Sequence, residues 1–398
     1  MIIQPKVRGF ICATAHPAGC RRHVQVQIDY IKSLTTSENG PKNVLVIGAS
    51  TGYGLASRIA ATYLYGANTL GIMYEKPASE KRTATAGWYN TAAFEEIATT
   101  DGYYAKSING DAFSKEIKEQ TIATIREEMK QIDLVIYSLA APRRTMEDGT
   151  VYSSVLKTTS DVFTNKSLDL RNNVITEASI SPATKEELDA TIKVMGGEDW
   201  QDWMTALDDA SVLANNATTI AYSYIGPKLT YPVYFNGTIG NAKKHLYQTA
   251  QTMNEQFADK GYKAIISVNK ALVTQASSAI PIVPLYMTML YKVMKEKGTH
   301  ENCIMQIGRM FTEKLAGGKI IADEAGYIRL DDYELEESVQ NEILTLWDKV
   351  STETIHEFTD LDGYWKDFYQ MFGFCFDGID YDADYNPDTD IPSIEKEL

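Results

Sequence analysis

The segment Val44-Leu-Val-Ile-Gly48-Ala49-Ser50-Thr51-Gly52-Tyr53-Gly54-Leu-Ala-Ser-Arg-Ile-Ala-Ala61 leaves this chain few folds to choose from. Val44 to Ile47 is a short aliphatic run, the pattern of a strand buried on both faces. Leu55, Ala56, Ile59 and Ala60 then recur at helical spacing. Between the two stand three glycines, spaced Gly-x-x-x-Gly-x-Gly. A strand that turns sharply into a helix points free N–H groups and the positive end of the helix dipole outward, which makes a cradle for a pyrophosphate. Thr69 to Glu75 reads as a second strand ending in a carboxylate. It lies about 20 residues past the last glycine, where a doubly wound nucleotide fold places an acid on the ribose hydroxyls. Glu75 predicts NADH over NADPH, because a carboxylate repels a 2′-phosphate; Lys76, Lys81 and Arg82 close by oppose that preference.

From this point short apolar strands alternate with helical patterns: 44–47, 69–74, 103–108, 134–138, 218–226 and 263–268. That rhythm predicts an α/β fold of the Rossmann type, a doubly wound parallel sheet with helices on both faces. Ligands of such sheets sit outside the carboxyl ends of the strands. Asp111 and Ala112 follow the third strand, where an acid can meet an adenine amino group. Leu139 and Ala140 follow the fourth, among small residues that let the backbone approach a cofactor. The expected organisation is one large domain over 1–398, with the Rossmann core in 44–142 and 218–275. Residues 143–217 form an insertion on the substrate side, with a small hairpin (one strand near 152–155) and helices. Residues 276–398 form a helical extension. Arg143, Arg144 and Lys157 read as surface charge or as contacts to substrate phosphates. His16 reads as part of a turn, with a structural role. The apolar helix 280–294 reads as core filling or as a wall of an acyl pocket, 328–332 as a small strand, and the acidic stretch Asp380 to Asp390 as loosely ordered.

Bulk properties set outer limits. The formal charge of −15 over 398 residues, without a long basic run, argues against nucleic acid and anionic membrane as partners. Four cysteines without metal-like pairing suit reduced thiols in a cytoplasmic protein, and no metal or flavin motif stands out. The first residues lack the apolar core of a signal peptide, and no apolar run is long enough for a membrane span.

Tyr234 and Lys243 carry the candidate chemistry. A tyrosine hydroxyl titrates near 10, so at neutral pH it holds a proton it can share with a substrate oxygen. A nearby ammonium favours its anion and can hold a ribose. Nine steps along one helix would put the two side chains on opposite faces. They converge only if a helix starts between them, as Gly237 and Gly240 allow, with Thr238 as the expected N-cap.

The interval Tyr-x8-Lys also carries a resemblance. Short-chain dehydrogenase/reductases mostly show Tyr-x3-Lys, and the common enoyl-acyl-carrier-protein reductases Tyr-x6-Lys. The present interval resembles the large trans-2-enoyl-CoA/ACP reductases (the FabV/TER family). The likeness spans nearly the whole chain, including Arg8 to Cys20, Gly48 to Ala56, Ala86 to Asn90, Tyr137 to Pro142, Val194 to Trp200, Ala221 to Gly226, Ser267 to Thr274 and Phe372 to Phe374. It implies NADH-dependent reduction of enoyl-CoA or enoyl-ACP, by a monomer without flavin or metal. The family's proton donor falls on Tyr234, its ribose-binding lysine on Lys243 and its substrate-contacting tyrosine on Tyr224. Its NADH contacts fall on Gly48, Ala49, Ser50, Thr51, Gly52, Tyr53, Tyr74, Glu75, Asp111, Ala112, Leu139, Ala140, Leu272, Val273 and Thr274. A carbonyl or alcohol dehydrogenase using the same Tyr and Lys is the alternative; the long interval and bulky insertion weigh against it.

Overall fold

The computed structural model describes residues 1–35 and 39–394. Seven strands build its central sheet: β1 (Asn43–Ile47), β2 (Asn68–Met73), β3 (Ala105–Asn109), β4 (Ile132–Tyr137), β5 (Leu213–Ser223), β6 (Lys263–Val268) and β7 (Tyr327–Arg329). Their order is β7-β6-β5-β4-β1-β2-β3, and every neighbouring pair is parallel. The strand order reverses between β1 and β4, which puts the ligand crevice at their carboxyl ends. The helices are α1 (Pro17–Lys32), α2 (Gly52–Tyr65), α3 (Ala86–Thr100), α4 (Lys115–Thr124), α5 (Lys185–Met195), α6 (Glu198–Asp209), α7 (Thr238–Gln256), α8 (Val283–Lys297), α9 (Cys303–Arg309), α10 (Glu337–Lys349), α11 (Ile355–Phe358) and α12 (Leu361–Gln370).

Alternation along β1 explains its uninterrupted apolar run. Val44 and Val46 join one core with α1, α2 and α9, while Leu45 and Ile47 join the opposite core with α6 and α7. Both faces are covered, so neither set of side chains can be polar. A third core lies over the carboxyl side of the sheet, where α8 packs with Leu272, Val273, Trp347, Tyr364 and Phe368. Met287, Met289 and Met294 of α8 are all 0 % exposed, so they fill this core.

Several expectations need correcting. The insertion holds two hairpins, Arg143–Thr145 with Val151–Ser153 and Phe163–Asp169 with Val174–Ile180. The small strand expected near 328–332 is β7, a member of the main sheet and not part of a purely helical extension. The acidic tail is pinned rather than loose. Trp88 Nε1 donates to Thr389 O at 2.7 Å and Tyr89 Oη to Pro387 O at 2.6 Å. Further on, Ser393 donates through N and Oγ to Glu95 at 3.0 and 2.8 Å. Its many carboxylates point outward while Tyr381 and Tyr385 pack edge-on against the buried His16 ring. His16 itself caps α1, its Nδ1 accepting from Gly19 N–H at 3.2 Å.

Candidate active site

β1 ends at Ile47, and the chain must turn at once to begin α2. Gly48 makes that turn at φ 85°, and a Cβ on it would lie 2.5 Å from Ser138 O. At Gly54 a Cβ would lie 1.8 Å from Gly48 O, so no residue but glycine fits either place. Gly52 is different: nothing lies within 4 Å of where its Cβ would stand. That open space fronts the first turn of α2, whose N-cap Thr51 makes no side-chain capping bond. The turn's N–H groups therefore remain available to an anion, and the cradle fits a diphosphate.

Neighbouring strand ends extend the cradle. Ser50 Oγ donates to Glu75 Oε1 at 2.6 Å, tying the glycine turn to the end of β2. Glu75 N–H donates to Asn109 Oδ1 at 2.8 Å, which locks β2 to β3. Tyr74 is 78 % exposed and offers an aromatic face to solvent beside them. Asp111 Oδ1 accepts from Phe113 N–H at 3.0 Å, and the buried Ala112 holds Trp203 Nε1 through its carbonyl at 3.1 Å. Leu139 is half-buried and Ala140 exposed at the end of β4. Leu272, Val273 and Thr274 line a cleft of about 120 Å³ together with Thr51 and Gly52. Ala49 is buried beside the turn. Tyr53 links the turn to two other segments. Its hydroxyl donates to Lys270 O at 3.0 Å and accepts from Gln306 Nε2 at 2.8 Å, so it braces α2 against the segment after β6.

Tyr234 sits in the turn before α7. Gly237 and Gly240 let this turn close, because a Cβ on either would lie 2.1 Å from Val233 O or 2.0 Å from Phe235 O. The N-cap of α7 is Gly237, not Thr238, whose hydroxyl instead donates to Val155 O in the insertion. Thr238 N–H also donates to Lys157 O at 2.9 Å. The insertion thus buttresses the tyrosine turn.

Of the three cations that read as surface charge or as phosphate contacts, two are engaged within the protein. Arg144 is buried, with Asp202 at 3.1 Å, and Lys157 pairs with Glu187 at 2.7 Å. Only Arg143 is left exposed among the three.

Tyr234 is 7 % exposed, and its hydroxyl makes no hydrogen bond among the described residues. Burial, and next the neighbouring Tyr247, raise its pKa above the usual tyrosine range, so it keeps its proton. Its ring meets that of Tyr224 edge-on at 4.9 Å. Lys243 lies in the second turn of α7 and donates to Tyr222 O at 3.1 Å. Burial lowers its ammonium to about 8. No hydrogen bond joins it to Tyr234 among the described residues. Glu334 escaped the sequence reading. It accepts from Tyr224 Oη at 2.9 Å, from Tyr286 Oη at 2.8 Å and from Ala271 N–H at 2.7 Å.

A diphosphate cradle at the switch point of a parallel sheet, with a protonated tyrosine and a lysine farther along the same edge, defines a nicotinamide-dependent reductase. Comparison with known proteins narrows the class. Residues 82–316 match the catalytic region of trans-2-enoyl-CoA reductase, residues 2–80 its NAD(P)H binding domain, and residues 322–385 an enoyl reductase FAD binding domain. The enoyl-acyl-carrier-protein reductase (NADH) of Burkholderia cenocepacia is 53 % identical over 395 residues, 99 % of each chain. A Clostridium trans-2-enoyl-CoA reductase crystallised with NADH superposes with a TM-score of 0.94 at 47 % identity, covering 97 % of this chain and 98 % of its own. The Treponema denticola enzyme with NAD gives 0.94 at 48 % identity, covering 98 % and 99 %. The chain belongs to the trans-2-enoyl-CoA reductase family. No helix among the described residues is long and apolar enough to cross a membrane.

Proposed function

We propose that this protein reduces trans-2-enoyl thioesters to saturated acyl thioesters with NADH, and that Tyr234 is its acid. The observation that carries the assignment is the free, protonated Tyr234 hydroxyl on the same strand edge as the diphosphate cradle. NADH, when bound, supplies the hydride that reaches the β-carbon of the enoyl group. Negative charge then gathers on the thioester oxygen, and the Tyr234 hydroxyl stabilises it by donating a hydrogen bond in a site shielded from water. Protonation at the α-carbon restores the thioester. Tyr224 borders the substrate through its ring, since its proton is already given to Glu334.

Lys243 holds the nicotinamide ribose. Glu75 accepts the adenosine ribose hydroxyls, Tyr74 and Asp111 with Ala112 meet the adenine, and Gly48 to Gly52 take the diphosphate. Leu139, Ala140 and Leu272 to Thr274 flank the nicotinamide side. Tyr53 acts from behind as a strut.

Reduction proceeds here without flavin. Three features of 322–385 support this reading: β7 completes the sheet, Trp347, Tyr364 and Phe368 are spent on the core, and a Cβ on Gly363 or Gly373 would strike Asp360 or the His16 carbonyl. Absorbance of the purified protein near 450 nm tests it, and a stoichiometric flavin band would overturn it. The relatives named for acyl-carrier protein and those named for CoA share the phosphopantetheine thioester, and either carrier fits this chemistry. The reading includes a cytoplasmic monomer that works as one unit. The deciding experiment offers NADH with crotonyl-CoA, and separately with a panel of ketones. Turnover with the enoyl thioester alone supports it; turnover with ketones alone makes the protein a carbonyl reductase.

A further inference from the structure

Glu334 lies in Asp331-Asp332-Tyr333-Glu334, an acidic run just past β7 that resembles solvated surface, yet its side chain is 0 % exposed. A buried carboxylate is costly unless its oxygens are filled. Among the described residues no cation forms an ion pair with it. Instead three neutral donors converge. The Tyr224 and Tyr286 hydroxyls both reach Oε1, and Ala271 N–H reaches Oε2. Each donor comes from a different part of the site. Tyr224 follows β5 and packs against Tyr234; Ala271 leads into Leu272, Val273 and Thr274 of the cleft; Tyr286 belongs to α8 and is itself held by Gln340 Nε2 at 3.0 Å. The buried ammonium of the preceding Lys270 donates to Ala271 O at 3.1 Å, so each of the two peptides that flank Ala271 is held.

Both hydroxyls donate to the same oxygen, Glu334 Oε1, and a hydroxyl has one proton to give. The Tyr224 proton is therefore unavailable to the substrate, whereas that of Tyr234 is free. Two tyrosines with rings 4.9 Å apart are thereby given opposite roles.

We propose that Glu334 is the positioning residue of the reaction centre: it draws the Tyr224 proton away from the substrate and fixes the Tyr224 ring against Tyr234, leaving Tyr234 as the one donor to the thioester oxygen. This role rests on the enoyl-reductase reading. It acts through Tyr224, which makes it separable from mere support of the fold.

A double-mutant cycle tests it in the full-length protein, with NADH and crotonyl-CoA. Glu334→Gln is expected to lower kcat by about tenfold or more while KM and NADH affinity stay within about twofold. In a Tyr224→Phe background, the same substitution is expected to change kcat by less than about twofold, since its object is gone. An equal loss in both backgrounds overturns the role of Glu334 and leaves the enzyme assignment intact. Absence of turnover by the wild-type protein overturns the assignment and the role together. Should Glu334→Gln lose its native circular dichroism, Glu334→Asp carries the same cycle, because it keeps the charge and withdraws it by one methylene.

Discussion

From β1 to β3 the carboxyl edge is assembled from neighbours in sequence. Gly48 to Tyr53, Glu75, Asn109 and Asp111 belong to consecutive strand–helix units, and much of what they offer is backbone. From β4 to β7 the edge is assembled from afar. Tyr224 follows β5, Tyr234 stands in a turn propped by the insertion, and Lys243 comes from α7. Glu334 reaches Tyr224 from 110 residues away. A dinucleotide can be gripped by local turns, because its phosphates ask only for N–H groups and space. A charge developing on one oxygen asks for one hydroxyl with its neighbours held still, and that takes tertiary structure. The two halves should therefore fail differently when damaged.

The largest separation should come from Tyr234→Phe. Loss of one preorganised donor costs about 10²–10³-fold in kcat, and NADH affinity should hold within about twofold. Steady-state kinetics beside an NADH fluorescence titration would read both. A parallel loss of affinity would mean that the two halves are not independent.

Lys243→Met crosses the boundary by design, because the place proposed for its ammonium, on the nicotinamide ribose, belongs to both halves. It should weaken NADH and lower kcat together, each by roughly tenfold, on the scale of one charged hydrogen bond. Its pH behaviour sharpens the point. Burial lowers the folded ammonium to about 8, below its value in the unfolded chain. Between those values the unfolded chain binds more protons, so wild-type stability rises with pH there. Below about 8 the folded protein bears the full cost of the buried charge. Without NADH, Lys243→Met should thus melt higher than wild type at pH 7, with the gap closing as pH rises above 8. A gap independent of pH would place Lys243 in solvent.

Glu75→Ala probes the binding half. It should cost NADH affinity about tenfold, on the scale of about 1.5–3 kcal/mol for a charged hydrogen bond, leave kcat at saturating NADH unchanged, and raise the relative use of NADPH. The ratio of kcat/KM values for the two cofactors checks this; an unmoved ratio removes Glu75 from the ribose. The smallest effect is predicted for Ser393→Ala, about 1 kcal/mol of stability for a lost hydrogen bond, with kcat unchanged. Chemical denaturation would show it, and a change in kcat would tie the tail to the reacting half.

The same contrast explains what could be read from residues alone. The glycine turn, the aliphatic run of β1 and Glu75 at the end of β2 are local patterns, and each stands where its spacing placed it. The start of α7 between Tyr234 and Lys243 followed from helical geometry, although Gly237 took the cap that Thr238 was expected to supply. Arg144 and Lys157 were ambiguous, because nothing local says that Asp202 and Glu187 stand opposite them. Glu334 was invisible for the same reason: an acid among acids reads as surface until the fold closes tyrosines around it. The tail misled through composition, since its anchors are rings and backbone carbonyls scattered among aspartates.

The bond from Ser393 to Glu95 also bears on the order in which the molecule can be finished. Glu95 belongs to α3, in the half that a ribosome makes early. Its carboxylate lies fully buried, 3.7 Å from the Arg58 guanidinium, and is completed by a residue 298 positions later. At about 5–20 residues per second, that interval is on the order of 15–60 s of synthesis. For all that time the cofactor half carries an ion pair whose last hydrogen-bond donors do not yet exist. The dinucleotide cradle is written early in the chain, but its interior closes late.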